Sequence, residues 1–479
     1  MQTETGKHTT LGLAALIALV LGSMIGGGIF SLPQTISVKT GAFPALIAWT
    51  ITGAGMLTLA LIFQSLSMRK PDLNAGVFAY AKAGFGEYVG FLSALGYWAG
   101  ACLGNVSFLV LYKSTLGAVI PAYGDGNTVA AVVTSSVLLW AIHYLLLRGV
   151  QQAAILNTVT TVVKVSAIVL FVFLAIPSFD LETLRQNLWG DAAMNLGGTG
   201  TQVAAAMYVT VFVFLGIEGA STYSRYARRR SDVGVATIGG FLIVLALVVA
   251  ITLLAFGILP QAELSQLRNP STAGVLKAVV GTWGAYFISI ALIISVLGAF
   301  LSWTLMAAEV LFVASNTGSM PRFLGRQNRN MAPAAALWLT NGLVQLFLVL
   351  TLFAQSAYLL VLSLTSSMAI IPYLLVAAYA FKLARTGESY EGDRAVTRTR
   401  ELIIAALAMV FSLYLLYVGG TKYLLLATVI YAPGVALYVI ARRERNEQVF
   451  RHAGERVLCA LLTVAAIVAV ALLATRSLG

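Results

Sequence analysis

The sequence has little charge for its length. Only 10% of its 479 residues are Asp, Glu, Lys or Arg, whereas a soluble globular domain carries about 25%. Hydrophobic residues make up 59% of the chain. A polar surface cannot cover so many apolar side chains, but a bilayer accepts them because lipid tails do not penalise apolar surface. The composition therefore excludes a soluble globular protein and predicts a membrane protein.

Cysteine and known catalytic motifs are also scarce. The two cysteines, Cys102 and Cys459, both lie in apolar runs, so they indicate small packing residues and not a disulfide framework or a metal site. The chain has no HExxH motif, no nucleophile elbow and no metal-binding cluster. We therefore expect no enzyme, no metal and no cofactor. A membrane receptor or a membrane enzyme is the alternative from a different class.

Long apolar runs repeat along the chain, and a membrane helix needs about 20 largely apolar residues. The first run is too long for the core of a signal peptide and is read as a retained helix. The sequence predicts an all-α polytopic protein with about thirteen spans. Numbered 1 to 13, the spans lie near 11–36, 42–68, 87–119, 127–147, 151–177, 201–227, 234–259, 284–315, 333–354, 357–383, 401–419, 421–441 and 456–475.

The basic residues give the orientation. With the N-terminus in the cytoplasm, the cytoplasmic segments hold 22 of the 30 Lys and Arg residues, as the positive-inside rule requires. The net charge of +12 is thus a topology signal, and we expect no nucleic-acid partner. We predict a multi-pass protein of the inner membrane, with the bilayer as its partner. An odd number of spans places the C-terminus in the periplasm.

No segment is large enough for a separate soluble domain. We predict a cytoplasmic N-terminus at 1–10, a transport core at 11–383 and accessory spans at 401–479. The core divides into two five-span halves, 11–177 and 201–383. The sequence leaves the oligomeric state open, with a homodimer among the hypotheses.

Glycines interrupt the first span of each half. Span 1 contains Gly22 and the run Gly26–Gly28, and span 6 contains Gly216 and Gly219. Inverted-repeat transporters place their substrate site at such paired broken helices. The alternative is a pair of GxxxG-like packing faces.

The two breaks offer complementary chemistry. Unwound backbone in span 1 frees N–H groups, and the positive end of a half-helix starting at Ile29 points toward them, so a carboxylate fits there. Carbonyls freed near Phe212–Leu215 can accept hydrogen bonds from an ammonium group. The pair therefore predicts a clamp for the zwitterionic head group of an amino acid.

These residues also resemble a known family. LGSMIGGGIFSLP (Leu21–Pro33) resembles the first-helix motif of the amino acid–polyamine–organocation superfamily, and FLGIEGAS (Phe214–Ser221) resembles the sixth-helix motif of its basic amino-acid/polyamine antiporter branch. Three longer stretches look most like bacterial arginine/ornithine antiporters: Arg69–Gly86, Gly216–Gly234 and Leu297–Phe312. The resemblance implies a LeuT-type fold, in which two inverted five-span repeats are followed by extra C-terminal spans.

The resemblance assigns the head group of the substrate to the two breaks. The glycine stretch would bind the carboxylate through Gly26, Gly27 and Gly28. Gly27 stands where the arginine/agmatine antiporter has a serine, so one hydroxyl contact is lost. The backbone carbonyl of Met24 would join those of Phe212 and Leu215 around the amino group.

The resemblance assigns the substrate side chain to four positions. Asn105 would contact its polar end, and Trp303 would pack along its aliphatic part. Phe212 stands where the family has a tryptophan that stacks on guanidinium, and phenylalanine is a weaker cation–π partner. A span-10 hydroxyl, taken as Ser366, would meet the guanidinium; the alternative for this polar patch is helix-to-helix hydrogen bonding.

Three charged residues inside the spans are candidates for gating or coupling, because intramembrane charges are expensive. Glu218 resembles a glutamate that links substrate movement to gating, or it is a buried structural acceptor. Lys164 resembles a lysine that occupies the sodium site of sodium-driven relatives, or it pairs with a neighbouring carboxylate or carbonyl. Glu309 either pairs with Lys164 or guides a cationic substrate toward the inside.

The function implied is the exchange of external arginine for internal ornithine, one for one. Both amino acids carry a net charge of about +1 at neutral pH, so the exchange would be electroneutral. The alternative is proton-coupled uptake or exchange of another amino acid, with Glu218 or Glu309 carrying the proton.

Overall fold

A helix lies at each of the thirteen predicted spans. The computed structural model describes residues 12–73, 76–124, 126–219, 227–353, 357–392 and 395–475. Spans 1 to 13 contain the helices Leu13–Met24 with Leu32–Ser37, Ala42–Arg69, Glu87–Gly117, Val129–Leu147, Val150–Ala175, Thr199–Phe214, Arg230–Phe256, Thr282–Asn316, Ala334–Leu350, Ala357–Thr386, Ala395–Val418, Gly420–Arg443 and Ala453–Ala474. The predicted N-terminal segment 1–10 and three of the basic residues, Arg225, Arg394 and Arg476, lie outside the described residues.

Most of these helices are long and apolar enough to cross a bilayer. Eleven of them meet that requirement singly, and Leu13–Met24 with Gly28–Ser37 meets it as a pair bent by 45°. The helix Thr199–Phe214 of span 6 is shorter, at 16 residues, and residues 220–226 of the predicted span lie outside the described residues. The fold is thus that of an all-α polytopic membrane protein, and the count of thirteen spans stays a prediction.

The spans pack as two groups. Group A contains spans 1, 2, 6 and 7, and group B contains spans 3, 4, 8 and 9; spans 5 and 10 contact members of both groups. The most apolar 18-residue stretch of span 3 is 100% buried, whereas that of span 13 is 11% buried. Span 3 therefore lies at the centre of the bundle and span 13 at its periphery.

One end of the bundle collects the basic segments, and we call it the basic end. There Lys82 donates to the carbonyl of Thr317, and Lys382 donates to the carbonyl of Gly84, so the loops after spans 2, 8 and 10 meet. Arg445, in the loop after span 12, donates to the carbonyl of Ser315 at 2.7 Å. These are four of the loops predicted to be cytoplasmic.

At the opposite end, three buried amide side chains tie group A together. This amide clasp consists of Asn187, Gln202 and Gln261, which are 5%, 4% and 1% exposed. Its amide nitrogens donate to backbone carbonyls of Phe256 and Leu259 (from Asn187), of Trp189 and Gly197 (from Gln202), and of Ser37 and Thr40 (from Gln261). The long loop at 177–200 therefore has a structural role that its sequence did not predict: it joins the ends of spans 1, 6 and 7.

Candidate functional site

Span 1 loses its helical form at the predicted glycines. The first half-helix ends at Met24, and the amides of Ile25 and Gly26 donate to the carbonyls of Leu21 and Met24 at 2.9 and 3.0 Å. A 3-10 turn starts at Gly28, one residue before the predicted start at Ile29, and its first bond runs from Phe30 to Gly27. The first amides of that turn have no partner within it, as at any helix N-terminus.

Span 6 breaks just as predicted near Gly216. The helix ends at Phe214, and Gly216 has a φ of +98°, a left-handed conformation that favours glycine. A Cβ at Gly216 would lie 2.9 Å from the backbone of Ser23, and one at Gly219 would lie 2.6 Å from the Ser23 hydroxyl. Both glycines are therefore needed because span 1 comes so close to span 6.

Three hydrogen bonds hold the end of the first half-helix. The Ser23 hydroxyl donates to the carbonyl of Gly216 in span 6 at 2.7 Å. The indole N–H of Trp303 in span 8 donates to the carbonyl of Ser23 at 3.1 Å. The ammonium of Lys164 in span 5 donates to the carbonyl of Gly22 at 2.6 Å. The Gly22–Ser23 pair thus joins span 1 to spans 5, 6 and 8.

A small cavity lies between the two breaks. Its volume of about 20 Å³ has room for about one water molecule. Its walls are Ser23, Met24, Gly26, Gly28, Gly104, Phe108, Phe212, Val213, Leu215, Trp303 and Thr365. Six of the nine predicted substrate-binding residues are therefore brought together, in a site that has to expand before an amino acid can enter.

The other three predicted binding residues lie beside this cavity. A Cβ on Gly27 would meet Leu111 and Val296, so that side of Gly27 faces spans 3 and 8. The Ser366 hydroxyl donates to the backbone carbonyl of Tyr208 at 3.0 Å. The Asn105 amide nitrogen donates to Thr304 at 3.0 Å, while its oxygen is buried with no hydrogen-bond partner among the described residues.

Two aromatic rings cover the glycine break. The ring of Phe108 lies 2.7 Å from the position that a Cβ on Gly26 would take, and the ring of Phe212 lies 3.1 Å from that on Gly28. A larger residue at either glycine would displace a ring, which explains why the site has glycine there. Phe212 holds the predicted position, whereas Phe108 was not predicted because a phenylalanine in an apolar run resembles ordinary core packing.

Glu218 is fully buried between two tyrosines. Its carboxylate accepts hydrogen bonds from the hydroxyls of Tyr97 in span 3, at 2.6 Å, and of Tyr373 in span 10, at 2.5 Å. The ring of Tyr97 also stacks on Trp303, with ring centroids 6.4 Å apart. Glu218 therefore connects the broken span 6 to span 3, to span 10 and, through Tyr97, to the wall of the cavity.

The other two charged residues lie in different places. Lys164 is 0% exposed and donates to a carbonyl, which is one of the two partners considered for it. Glu309 lines a separate cavity at the basic end, together with Asp72, Lys82 and Glu87. Both hypotheses for Glu309, pairing with Lys164 and guiding a cationic substrate toward the inside, stay predictions.

Replacement of Trp303 by phenylalanine tests the bond to Ser23. The variant keeps an aromatic ring in the cavity wall but loses the indole N–H. A hydrogen bond between neutral groups contributes about 0.5–1.5 kcal/mol, so we expect transport to fall by about two- to tenfold. The measurement is the initial rate of amino-acid exchange in proteoliposomes. The control is Trp283→Phe, because Trp283 is 55% exposed on the same helix; equal losses in both variants contradict the prediction.

Comparison with known proteins shows what the chain is similar to. Residues 11–423 match a family model described as amino acid permease. The arginine/ornithine antiporter of Pseudomonas aeruginosa is 50% identical over 475 residues, which are 98% of each chain. A putative arginine/ornithine antiporter of Escherichia coli is 42% identical, covering 95% of this chain and 97% of its own. The L-lysine transport protein of Corynebacterium glutamicum is 39% identical, covering 94% and 92%.

A solved structure shows the same fold at low sequence identity. The crystal structure of MhsT in complex with L-phenylalanine matches with a TM-score of 0.60 and 16% identity. The match covers 86% of this chain and 99% of that one. The fold is therefore the LeuT-type fold that the family resemblance implied.

Proposed function

Because this chain belongs to the amino acid permease family, we propose that it exchanges external arginine for internal ornithine, one for one, by alternating access. The observation that carries the proposal is the 50% identity, over 98% of both chains, with a protein named an arginine/ornithine antiporter. The lysine transport protein among its relatives also handles a basic amino acid. Because arginine and ornithine each carry a net charge of about +1, the exchange moves no net charge.

The head group of the substrate binds between the two helix breaks. Its carboxylate accepts hydrogen bonds from the amides at the start of the 3-10 turn, where the helix dipole also favours an anion. Its ammonium group donates to the carbonyls of Met24, Phe212 and Leu215. The carbonyls of Met24 and Phe212 each accept one backbone hydrogen bond already, and a carbonyl oxygen has a second lone pair.

The side chain of the substrate lies against the aromatic wall. Phe212, Phe108 and Trp303 supply π faces to a cation. The Asn105 oxygen, buried without a partner among the described residues, accepts from a guanidinium or an ammonium group. The cavity holds about one water when closed, so binding requires that the rings of Phe108 and Phe212 move.

The experiment is trans-stimulation in proteoliposomes. Liposomes loaded with ornithine should accumulate labelled arginine, and liposomes without internal amino acid should not. A potassium diffusion potential should leave the initial rate unchanged because the exchange is electroneutral. If the rate of arginine uptake does not depend on internal ornithine, the proposal is wrong. Uptake that starts on a pH jump without internal amino acid would instead establish the proton-coupled alternative.

We also propose the arrangement in the membrane. The basic end faces the cytoplasm of the inner membrane, which follows from the positive-inside rule, and the C-terminus faces the periplasm. We propose the same division of the chain that the sequence predicts, with a transport core at 11–383 and accessory spans at 401–479. Labelling of single cysteines that replace Ala192 and Arg398 in intact cells tests this orientation: only the cysteine at position 192 should react with an impermeant reagent.

The homodimer hypothesis is tested by counting photobleaching steps in single nanodiscs.

A further inference from the structure

The accessory spans 11 and 12 contact the two packing groups differently. Span 11 contacts spans 2 and 6 of group A, and span 12 contacts span 3 of group B, while span 10 packs against both. The two accessory helices, Ala395–Val418 and Gly420–Arg443, follow each other without a loop yet pack little against one another. Span 11 packs most against span 10, and span 12 packs most against span 13. Their remaining partners lie in different groups, although the two spans form one helical hairpin.

Span 11 is fixed to group A at both of its ends and near its middle. At the basic end, Arg69 of span 2 donates to both oxygens of Glu401 at 2.9 Å. Farther along, the ring of Phe411 occupies the space that a side chain on Gly55 would need. At the opposite end, the Tyr208 hydroxyl of span 6 lies in the space left by Gly419.

Span 12 is fixed to group B by a similar set of contacts. The Tyr431 hydroxyl fills the space beside Gly96 in span 3, and Leu95 fills the space beside Gly434. Nearer the basic end, the ring of Tyr438 lies 5.1 Å from that of Tyr88 and 5.0 Å from that of Phe91, between ring centroids. Aromatic pairs at such distances add to the stability of a contact.

The junction between the two spans is suited to bending. Gly419 ends span 11, and Gly420 begins span 12 with a φ of +70°, which favours glycine. No atom lies within 4 Å of the position that a Cβ on Gly420 would take. A change of backbone angle at this junction therefore meets no packing barrier on that side.

We propose that spans 11 and 12 form a hinged tether between the two groups, with its hinge at Gly419–Gly420. The inference rests on the proposed function, since alternating access requires one group to move relative to the other. Span 11 moves with group A, span 12 stays with group B, and the hinge absorbs the difference. The tether thereby sets how far the groups can separate and limits the rate of exchange.

Distances between spin labels test the hinge directly. Labelled cysteines replace Leu407 in span 11, Ala436 in span 12, Ile243 in group A and Leu346 in group B, all exposed. The native Cys102 and Cys459 are first replaced by alanine. Between the parent protein and the Gly26→Ala variant, whose added methyl group in group A pushes against Phe108 of group B, the Leu407–Ala436 distance should change. The Leu407–Ile243 and Ala436–Leu346 distances should stay constant.

Two outcomes overturn the tether. One is a constant Leu407–Ala436 distance with a changing Leu407–Ile243 distance, because both accessory spans would then stay with group B. The other is a constant Leu407–Ala436 distance with a changing Ala436–Leu346 distance, because both accessory spans would then move with group A. Because the Gly26→Ala comparison uses no substrate, these distances remain informative even if arginine and ornithine prove to be the wrong substrates, which the trans-stimulation experiment decides separately.

A transport measurement gives a second test. The Gly419→Ala variant places a methyl group where Tyr208 lies, and overpacking of this kind should slow exchange by about fivefold or more. The matched control is Gly239→Ala, since Gly239 has no atom within 4 Å of that position, and its rate should be unchanged. Adding Tyr208→Leu to Gly419→Ala makes room and should restore part of the rate. Full activity of Gly419→Ala contradicts the proposal.

Discussion

Exchange of arginine for ornithine should fall by about ten- to a hundredfold when Lys164 is replaced by methionine. The ammonium of Lys164 is fully buried and donates to the carbonyl of Gly22 at 2.6 Å. A hydrogen bond to a charged group contributes about 1.5–3 kcal/mol, and about 1.4 kcal/mol corresponds to a factor of ten. Methionine keeps the length of the side chain but leaves that carbonyl without its donor, so the first half-helix of span 1 loses its link to span 5.

The measurement is the initial rate of labelled arginine uptake into ornithine-loaded proteoliposomes. The matched control is Lys277→Met, because Lys277 is an exposed lysine on the short helix Ser271–Val280, and its rate should equal that of the parent. Thermal stability in detergent separates a transport defect from misfolding. A Lys164→Met variant that transports within twofold of the parent would show that the bond to Gly22 has no part in transport.

Replacement of Glu218 by glutamine should lower the exchange rate by a similar factor. The carboxylate accepts hydrogen bonds from Tyr97 and Tyr373, one on each oxygen. A glutamine amide offers one acceptor oxygen and a nitrogen that only donates, so one tyrosine hydroxyl faces another donor. We expect a loss of about ten- to a hundredfold, again from a charge-assisted bond of about 1.5–3 kcal/mol.

Single tyrosine variants make this prediction sharper. Tyr97→Phe and Tyr373→Phe each remove one of the two donors, so each should cost less than Glu218→Gln in the same exchange assay. Glu263→Gln is the control, because Glu263 is an exposed carboxylate on the short helix Gln261–Gln266. If Glu218→Gln exchanges at the rate of the parent and only its pH dependence is lost, the carboxylate acts as a proton carrier and not as a structural acceptor.

The sequence predicted the architecture because its strongest signals are local. Apolar runs of about 20 residues identify membrane helices directly. Glycine is the residue that helices tolerate least after proline, so the clusters at Gly26–Gly28 and at Gly216 indicated where spans 1 and 6 break. The structure has both breaks at these positions. The paired breaks then indicated two halves, and the family resemblance supplied the LeuT-type arrangement, which no local pattern contains.

Residues that act through distant partners were missed. Tyr97 and Tyr373 lie in apolar runs, where a tyrosine is indistinguishable from a packing residue until its hydroxyl is seen against Glu218. Phe108 was missed for the same reason. The amides of the clasp were also missed, because a single polar residue in a loop or at the end of a helix carries no periodicity that indicates burial. Most of these contacts join residues that lie far apart in the sequence, so only the folded chain identifies them.

The amide clasp has a consequence for the environments in which the protein works. Asn187, Gln202 and Gln261 bind backbone carbonyls through neutral groups that neither gain nor lose a proton. Neutral hydrogen bonds in a buried site are also little affected by dissolved ions, in contrast to exposed ion pairs. The end of the bundle opposite the basic end is therefore joined by contacts that depend little on pH or salt, whereas the basic end also contains ion pairs, such as Arg69–Glu401 and Lys82–Glu87.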